Sequence, residues 1–199
     1  MIDLDGYRLN VGIILSNQDN KLLWARRVGQ DSWQFPQGGI MQGEAPKAAL
    51  LRELHEEVGL TEKDITLLGT TQSWLRYDLP DRLIRHGSKP LCIGQKQIWY
   101  LLRIITHEKN INLQRSDKPE FDGWSWVDYW HPLKEVVDFK YDVYHAALSE
   151  LAPLLFGEDN KDNTRVPENS ESRRLVRKQQ AEPLSAQKVK HQKNGKSRL

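Results

Sequence analysis

Residues 38–60 read GGIMQGEAPKAALLRELHEEVGL, a glycine-rich stretch running straight into a segment of helical periodicity. Leu50, Leu51, Leu54 and Val58 recur at the spacing of one apolar helix stripe. Gly59 stands where a left-handed C-terminal cap belongs, and Leu60 can fold back on the last turn. These features predict a helix over residues 45–58, entered from a tight loop and packed by one face. Glu53, Glu56 and Glu57 fall at i, i+3 and i+4 of that helix, so their carboxylates point the same way. Like charges at this spacing cost about 0.2–0.5 kcal/mol per pair.

Two readings account for the crowding. Glu is a good helix former, so a solvated acidic face is one of them. The other places hard cations among the carboxylates. Magnesium takes oxygen ligands and is commonly shared between one or two carboxylates and substrate phosphates. The flanking residues suit this second reading. Gly38 and Gly39 lack side chains, which lets the backbone approach a phosphate or metal closely. Glu44 opens the helix, near enough in sequence to join or brace the cluster, and Arg52 can pair with Glu56 at i+4 and hold it.

The rest of the chain fits one globular domain and a tail. Its 199 residues are 38% hydrophobic and include seven tryptophans, enough apolar surface for a sizeable core. One cysteine, Cys92, forbids an internal disulfide and suits a reducing compartment. The N-terminal MIDLDGYRLNV carries acids and no apolar h-region, and the apolar WYLLRIIT is broken by Arg103, far short of a membrane span. A cytoplasmic, soluble protein is expected. Residues 157–199 hold 11 Lys/Arg against 6 Asp/Glu, a net of +5, which leaves 18 against 21, a net of −3, in residues 1–156. The tail has no Phe, Trp or Tyr. It therefore reads as a disordered basic segment, either simply solvated or weakly attractive to nucleic acid.

LNVGIIL (9–15) and KLLWAR (21–26) read as strands joined by a turn, and a short apolar piece at 33–35 precedes the glycine-rich loop PQGGIMQGE. Residues 65–77 and 97–105 are β-rich, 123–130 suggests another strand, and 141–156 closes the domain as an amphipathic helix. Strands with helices interspersed predict an α/β layered domain.

From Gly38 the chain reads G, five residues, E, seven residues, then R-E-L-H-E-E-V-G-L. Every fixed position matches the Nudix box, G-x5-E-x7-R-E-U-x-E-E-x-G-U with U aliphatic. By chance such a match arises on the order of 10⁻⁸ per chain. The chain resembles the Nudix hydrolases. That resemblance implies an α/β/α sandwich with a mixed β-sheet, cleavage of a nucleoside diphosphate linked to another moiety, and a divalent cofactor, Mg2+ or Mn2+. It carries Glu53, Glu56 and Glu57 over as metal-binding glutamates, with Glu53 the candidate for polarising or deprotonating the attacking water.

DGYRLNVGIIL, WARR, SWQFPQGGI, WLRYDLP, CIGQKQIWYLL and PEFDGWSWV extend the likeness over residues 1–156, toward the bacterial RNA pyrophosphohydrolase branch. That branch removes pyrophosphate from triphosphorylated RNA 5′ ends and exposes transcripts to decay. Dinucleoside polyphosphate hydrolases share much of the same pattern, and a non-catalytic RNA- or nucleotide-binding module on this fold is a third reading. Glu120, in PEFDGW, is either a surface acid or, as in relatives, an acid reaching the metal site. Arg8 and Arg27 stand beside the first two strands, as ordinary surface arginines or as guanidiniums that meet phosphate or stack on a base. Phe139 lies between charged residues, either as core or as a platform on which a base stacks. In RNA-cleaving relatives, the matching arginines and aromatic contact the first nucleotides. The six histidines show no pairing with cysteine that suggests zinc, and no motif supports a Ser-His-Asp or Cys-His site.

Overall fold

Strand β1 (Tyr7–Ser16) is buried without a break from Asn10 onward. A strand covered on both faces reads as a continuous apolar run rather than an alternating one, and VGIIL has that character. The computed structural model describes residues 1–157, 160, 163 and 166, all within one compact unit, Met1–Val166. At its centre β1 pairs in parallel with β7 (Gly94–Ile104), in register from Tyr7↔Gly94 to Ser16↔Arg103.

The other edge of β1 is shared. Its first half pairs antiparallel with β4 (Gln37–Gly39), from Asn10↔Gly39 to Gly12↔Gln37. Its last residue meets β2 (Leu22–Arg27) at Ser16↔Leu22. Beyond β2 lie β3 (Trp33–Gln34) and β8 (Phe121–Val127), while β5 (Ile65–Thr70) and β6 (Leu75–Asp78) both pair with β7. The sheet is therefore mixed.

Successive side chains of a strand face opposite ways, and the two cores divide accordingly. Val11, Ile13, Leu15, Tyr100, Leu102 and Ile104 pack under the helix α1 (Pro46–Glu53) and its continuation, against Leu50, Leu54 and Val58. Ile14, Trp99 and Leu101 pack on the other side under α3 (Tyr141–Phe156), against Tyr144, Ala147 and Leu148. Phe35 stacks on Tyr144 at 5.2 Å, and Trp99 meets the same ring edge-on at 5.0 Å. Such pairs add about 0.5–1.5 kcal/mol each beyond the area they bury. A short helix, α2 (Pro132–Glu135), lies between β8 and α3. The outcome is the α/β/α sandwich expected from the sequence.

Several local readings change. The loop PQGG contains strand β4, invisible to pattern because two of its three residues are glycine. The β-rich stretch 65–77 breaks at Thr71, which bonds Trp99 through both its backbone N–H and its hydroxyl and so ends regular pairing. The strand expected at 123–130 starts at Phe121 and stops at Val127. Past residue 156, Trp130 Nε1 donates to the Asn163 carbonyl at 3.1 Å, and Val166 packs against the α3-side core. The basic run from Arg173 lies outside the described residues. Among the described residues, no helix is long and apolar enough to cross a membrane.

The β1–β7 register places Gly12 beside Trp99. A methyl added at Gly12 would lie within 2.7 Å of three atoms of the indole. Overpacking of this kind costs about 1–3 kcal/mol. Gly12→Ala is expected to lower Tm by about 2–4 °C for each kcal/mol, read by thermal denaturation. An unchanged Tm would show that Trp99 can move aside freely.

Candidate active site

The site is built where β4 leaves the sheet and turns into α1. Its organiser is Arg52, on the last turn of α1 and about one-fifth exposed. The guanidinium donates from Nε to Glu44 Oε1 and from Nη2 to Glu44 Oε2, both at 2.9 Å. Nη2 also reaches the Gly39 carbonyl at 2.8 Å, and Nη1 bonds Glu53 Oε1. The two-pronged bond to Glu44 is the strong, planar kind that Arg makes with carboxylate. Arg52 holds the Glu44 carboxyl down at about 2, well under the ordinary 4.5. The expected Arg52–Glu56 pair forms as the longest of the three carboxylate contacts of Arg52: Nη1 lies 3.6 Å from Glu56 Oε2, and Glu56 is half exposed.

The physical reason lies in the helix. The single α-helix predicted over 45–58 ends at Glu53 and widens into a π turn, Leu54–Val58, capped by Gly59 at φ 78°. Closing each turn one residue later rotates Glu56 off the face that Glu53 and Glu57 share, and such turns recur at functional sites. Glu53 and Glu57 are buried, and Glu56 is not.

Glu57 Oε2 accepts the Gln37 N–H at 2.9 Å, while its Oε1 is buried with no protein partner. Burial raises the Glu57 carboxyl well above its ordinary value, and the charges of Glu120 and Glu53 add to the rise. Burial likewise raises Glu53, opposed by Arg52 and assisted by Glu56 and Glu120. Glu120, at the entry to β8 and far away in sequence, thus sits within the field of both. The Glu53 carboxylate lies against Gly38 so closely that a methyl there would overlap it. Among the described residues, no three acids or histidines close into a ready metal cage. The donor set nevertheless fits a hard cation: oxygen ligands only, converging anionic charge, an unpartnered buried carboxylate oxygen, and a glycine cradle.

A second group of residues lines the α3 side of the same loop. The Arg8 guanidinium lies over Gly39, where a methyl would strike it. Arg27 is partly buried, with its Nε lacking a protein partner. Phe139 is neither free platform nor closed core: it is half-buried, with its ring 5.6 Å from Tyr77. Sequence reasoning missed Lys140. This buried lysine donates to Gln34 Oε1 at 3.1 Å and lies 5.9 Å over the Tyr77 ring. Burial depresses its pKa to about 8, Arg27 lowers it further, and Glu120 and Glu57 oppose. Its signal was position alone, between Phe139 and the start of α3. Tyr77 and Gln37 were likewise read only as parts of longer matching strings.

Linkage gives these acids opposite signs. Glu53 and Glu57 sit above their ordinary 4.5 when folded, so the stability they contribute is present below that value and lost as pH rises through their folded range. Glu44 contributes stability above 4.5 and loses it as pH falls through about 2. In chelator, Glu57→Gln is therefore expected to melt higher than wild type at pH 8, with the gap closing by about pH 4.5. Magnesium should raise the wild-type Tm more than that of the variant. Equal melting curves across pH would mean that the buried carboxylate carries no strain.

Residues 6–151 match the NUDIX domain. The chain is 53% identical over 174 residues to the RNA pyrophosphohydrolase of Actinobacillus succinogenes, covering 87% of this chain and 88% of that one. To the RNA pyrophosphohydrolase of Vibrio atlanticus it is 60% identical over 154 residues, covering 77% and 90%. Two solved structures share the fold at low identity. The E. coli dihydroneopterin triphosphate pyrophosphohydrolase superposes with a TM-score of 0.56 at 22% identity, covering 70% of this chain and 95% of that one. A C. elegans Ap4A hydrolase binary complex gives 0.56 at 18%, covering 75% and 98%. With the domain match spanning most of the chain and these relatives covered almost end to end, the chain belongs to the NUDIX family of hydrolases.

Proposed function

We propose that this enzyme removes pyrophosphate from the 5′ end of triphosphorylated RNA and so opens transcripts to decay. One juxtaposition carries the reading. The carboxylates of Glu53, Glu57 and Glu120 share a field with a groove holding Arg27, Lys140, Tyr77 and Phe139. The first group suits a polyphosphate through a divalent ion. The second suits the charged, base-bearing end of a nucleic acid. The naming of the relatives supports the same substrate.

Glu53, Glu57 and Glu120, with Glu56 at the rim, are the residues that would hold the cation, Mg2+ in the first instance and Mn2+ as its substitute. A divalent cation there supplies positive charge that neutralises the polyphosphate and eases deprotonation of the attacking water. Glu53, raised by burial toward the range of a working base, takes the proton from that water. Arg52 keeps Glu53 aimed while Glu44 keeps Arg52 in place. The bond broken is the anhydride between the α- and β-phosphoryl groups. Pyrophosphate leaves, and the RNA retains a monophosphate. On the groove side, Arg8 and Arg27 meet phosphate, and Phe139 offers its exposed face to a base.

Dinucleoside polyphosphates present the same chemistry, a phosphate chain beside a base, and form the second reading; a binding module without catalysis has no use for the full carboxylate set. Glu53→Gln should abolish turnover while leaving the fold intact, and near-normal rates would remove Glu53 from the mechanism. Phe139→Ala should cost about 1–3 kcal/mol of RNA binding, the usual worth of base–aromatic stacking. Because Phe139 touches no carboxylate of the site, hydrolysis of a plain nucleoside triphosphate should fall much less. The measurement is the ratio of kcat/KM for RNA to that for nucleotide, in Phe139→Ala, Arg8→Ala and Arg27→Ala, beside diadenosine tetraphosphate. An unchanged ratio in all three would favour the dinucleoside reading. A joint fall with a lowered Tm would assign Phe139 to packing against Tyr77.

A further inference from the structure

Gln97 centres a network of amides that the mechanism above does not use. It is fully buried on β7, paired in register with Asn10 of β1. Its Nε2 carries two hydrogens and has two acceptors, Gln37 Oε1 at 3.2 Å and Gln95 Oε1 at 3.5 Å. Asn10 Nδ2 gives Gln95 Oε1 a second bond at 3.1 Å. With two donors on one oxygen, turning the Gln95 amide alone would set N–H against N–H twice over. Gln95 is held in this way by Asn10 and Gln97, and Gln37 Oε1 accepts from Gln97 alone, so both amide oxygens turn toward Gln97.

Gln37 passes this polarity on. With its oxygen engaged by Gln97, the Gln37 amide turns its hydrogens to the neighbouring Tyr77 phenol, where it opposes the rise that burial imposes. Tyr77 stands within the fields of Arg8 and Arg27 and under Lys140. The wall between these cations therefore presents hydrogen-bond donors. It suits an oxygen-rich anion and disfavours a group that brings its own hydrogens. The arrangement is costly, because Gln97 Oε1 and Asn10 Oδ1 are buried without a protein donor. A leucine at either position would avoid that cost, so these amides bring something that apolar packing cannot.

We propose that Gln97 is a positioning residue that holds the Gln37 and Gln95 amides with their N–H2 groups outward and thereby makes the groove selective for a polyphosphate chain. The inference rests on the hydrolase reading, since it concerns the same groove. The experiment compares wild type, Gln97→Met, the double variant Gln37→Met/Gln95→Met, and the triple variant. Three quantities are read: Tm, calorimetric binding of inorganic tripolyphosphate with magnesium, and kcat and KM on triphosphorylated RNA. Gln97→Met should weaken tripolyphosphate binding and raise KM about tenfold, the size of one net hydrogen bond, with kcat nearly unchanged. Adding Gln97→Met to the double variant should change neither, because the amides that it orients are gone. Unchanged binding, or the same loss in both backgrounds, would overturn the proposal. Should Gln97→Met not fold, Gln97→Glu keeps the shape, removes at least one donated hydrogen, and must show the same loss. Tripolyphosphate binding that responds to Gln97 in an enzyme inert toward RNA would remove the RNA reading and leave this inference standing.

Discussion

The site depends on one guanidinium. Arg52 joins the glycine strand, through the Gly39 carbonyl, to the loop before α1, through Glu44, and to the end of α1, through Glu53. Without that central positive charge, Glu44 and Glu53 would be left largely out of water and unpaired, a cost of the order of 3 kcal/mol. Lysine would not substitute, since a single ammonium cannot serve a two-pronged carboxylate and a carbonyl in one plane. The arginine also sets the division of labour among the acids. Glu44, pinned low, is permanently charged and structural. Glu53 and Glu57 are instead pushed up by burial, so their charged forms call for a compensating positive charge.

The sheet divides the molecule into a part that is stable and a part that is chemically busy. Toward the C-terminal ends of β1 and β7, both faces are closed by aromatic and aliphatic side chains. Toward their N-terminal ends the same strands carry Asn10, Gln95 and Gln97 in place of the apolar residues that periodicity would supply. The polar end is tolerated because Trp99, Phe35 and Tyr144 lock the adjoining layer.

Much of this was legible in the chain. The apolar run of β1, the stripe of α1 and the amphipathic 141–156 announced layers, and the spacing of Glu53, Glu56 and Glu57 announced a crowding of carboxylates. What stayed hidden has common physical causes. Strand β4 carries almost no side chains, so no alternation marks it. The π turn differs from an α-helix by one residue of hydrogen-bond register, which no composition encodes, and it was this that moved Glu56 to the rim. Lys140 reads as a solvated lysine because burial of an ammonium depends on what the fold brings over it, here Gln34 and Tyr77. Glu120 was placed by resemblance rather than by any local signal. The fate of the basic run beyond Arg173 falls outside the described residues.

Strand β4 has one more consequence. Its glycines are not a surface loop leaning on the domain, since they form rungs of the ladder on the central strand. The next residue, Ile40, donates its N–H to Leu9, and Ile13 donates to Pro36. The cradle under Glu53 is thus wired into the most buried part of the sheet, and loosening it means unzipping β1. Many enzymes keep their working loops at the weak end of the stability spectrum, where local opening costs little. Here the amide protons behind the clustered carboxylates are bonded into the central ladder, which predicts that they exchange with solvent as slowly as those of the core. Rigidity beneath the carboxylates is inherited from the fold, whereas Phe139 sits on a short helical turn, Asp138–Lys140, and Arg27 at the very end of β2, where the ladder gives less support.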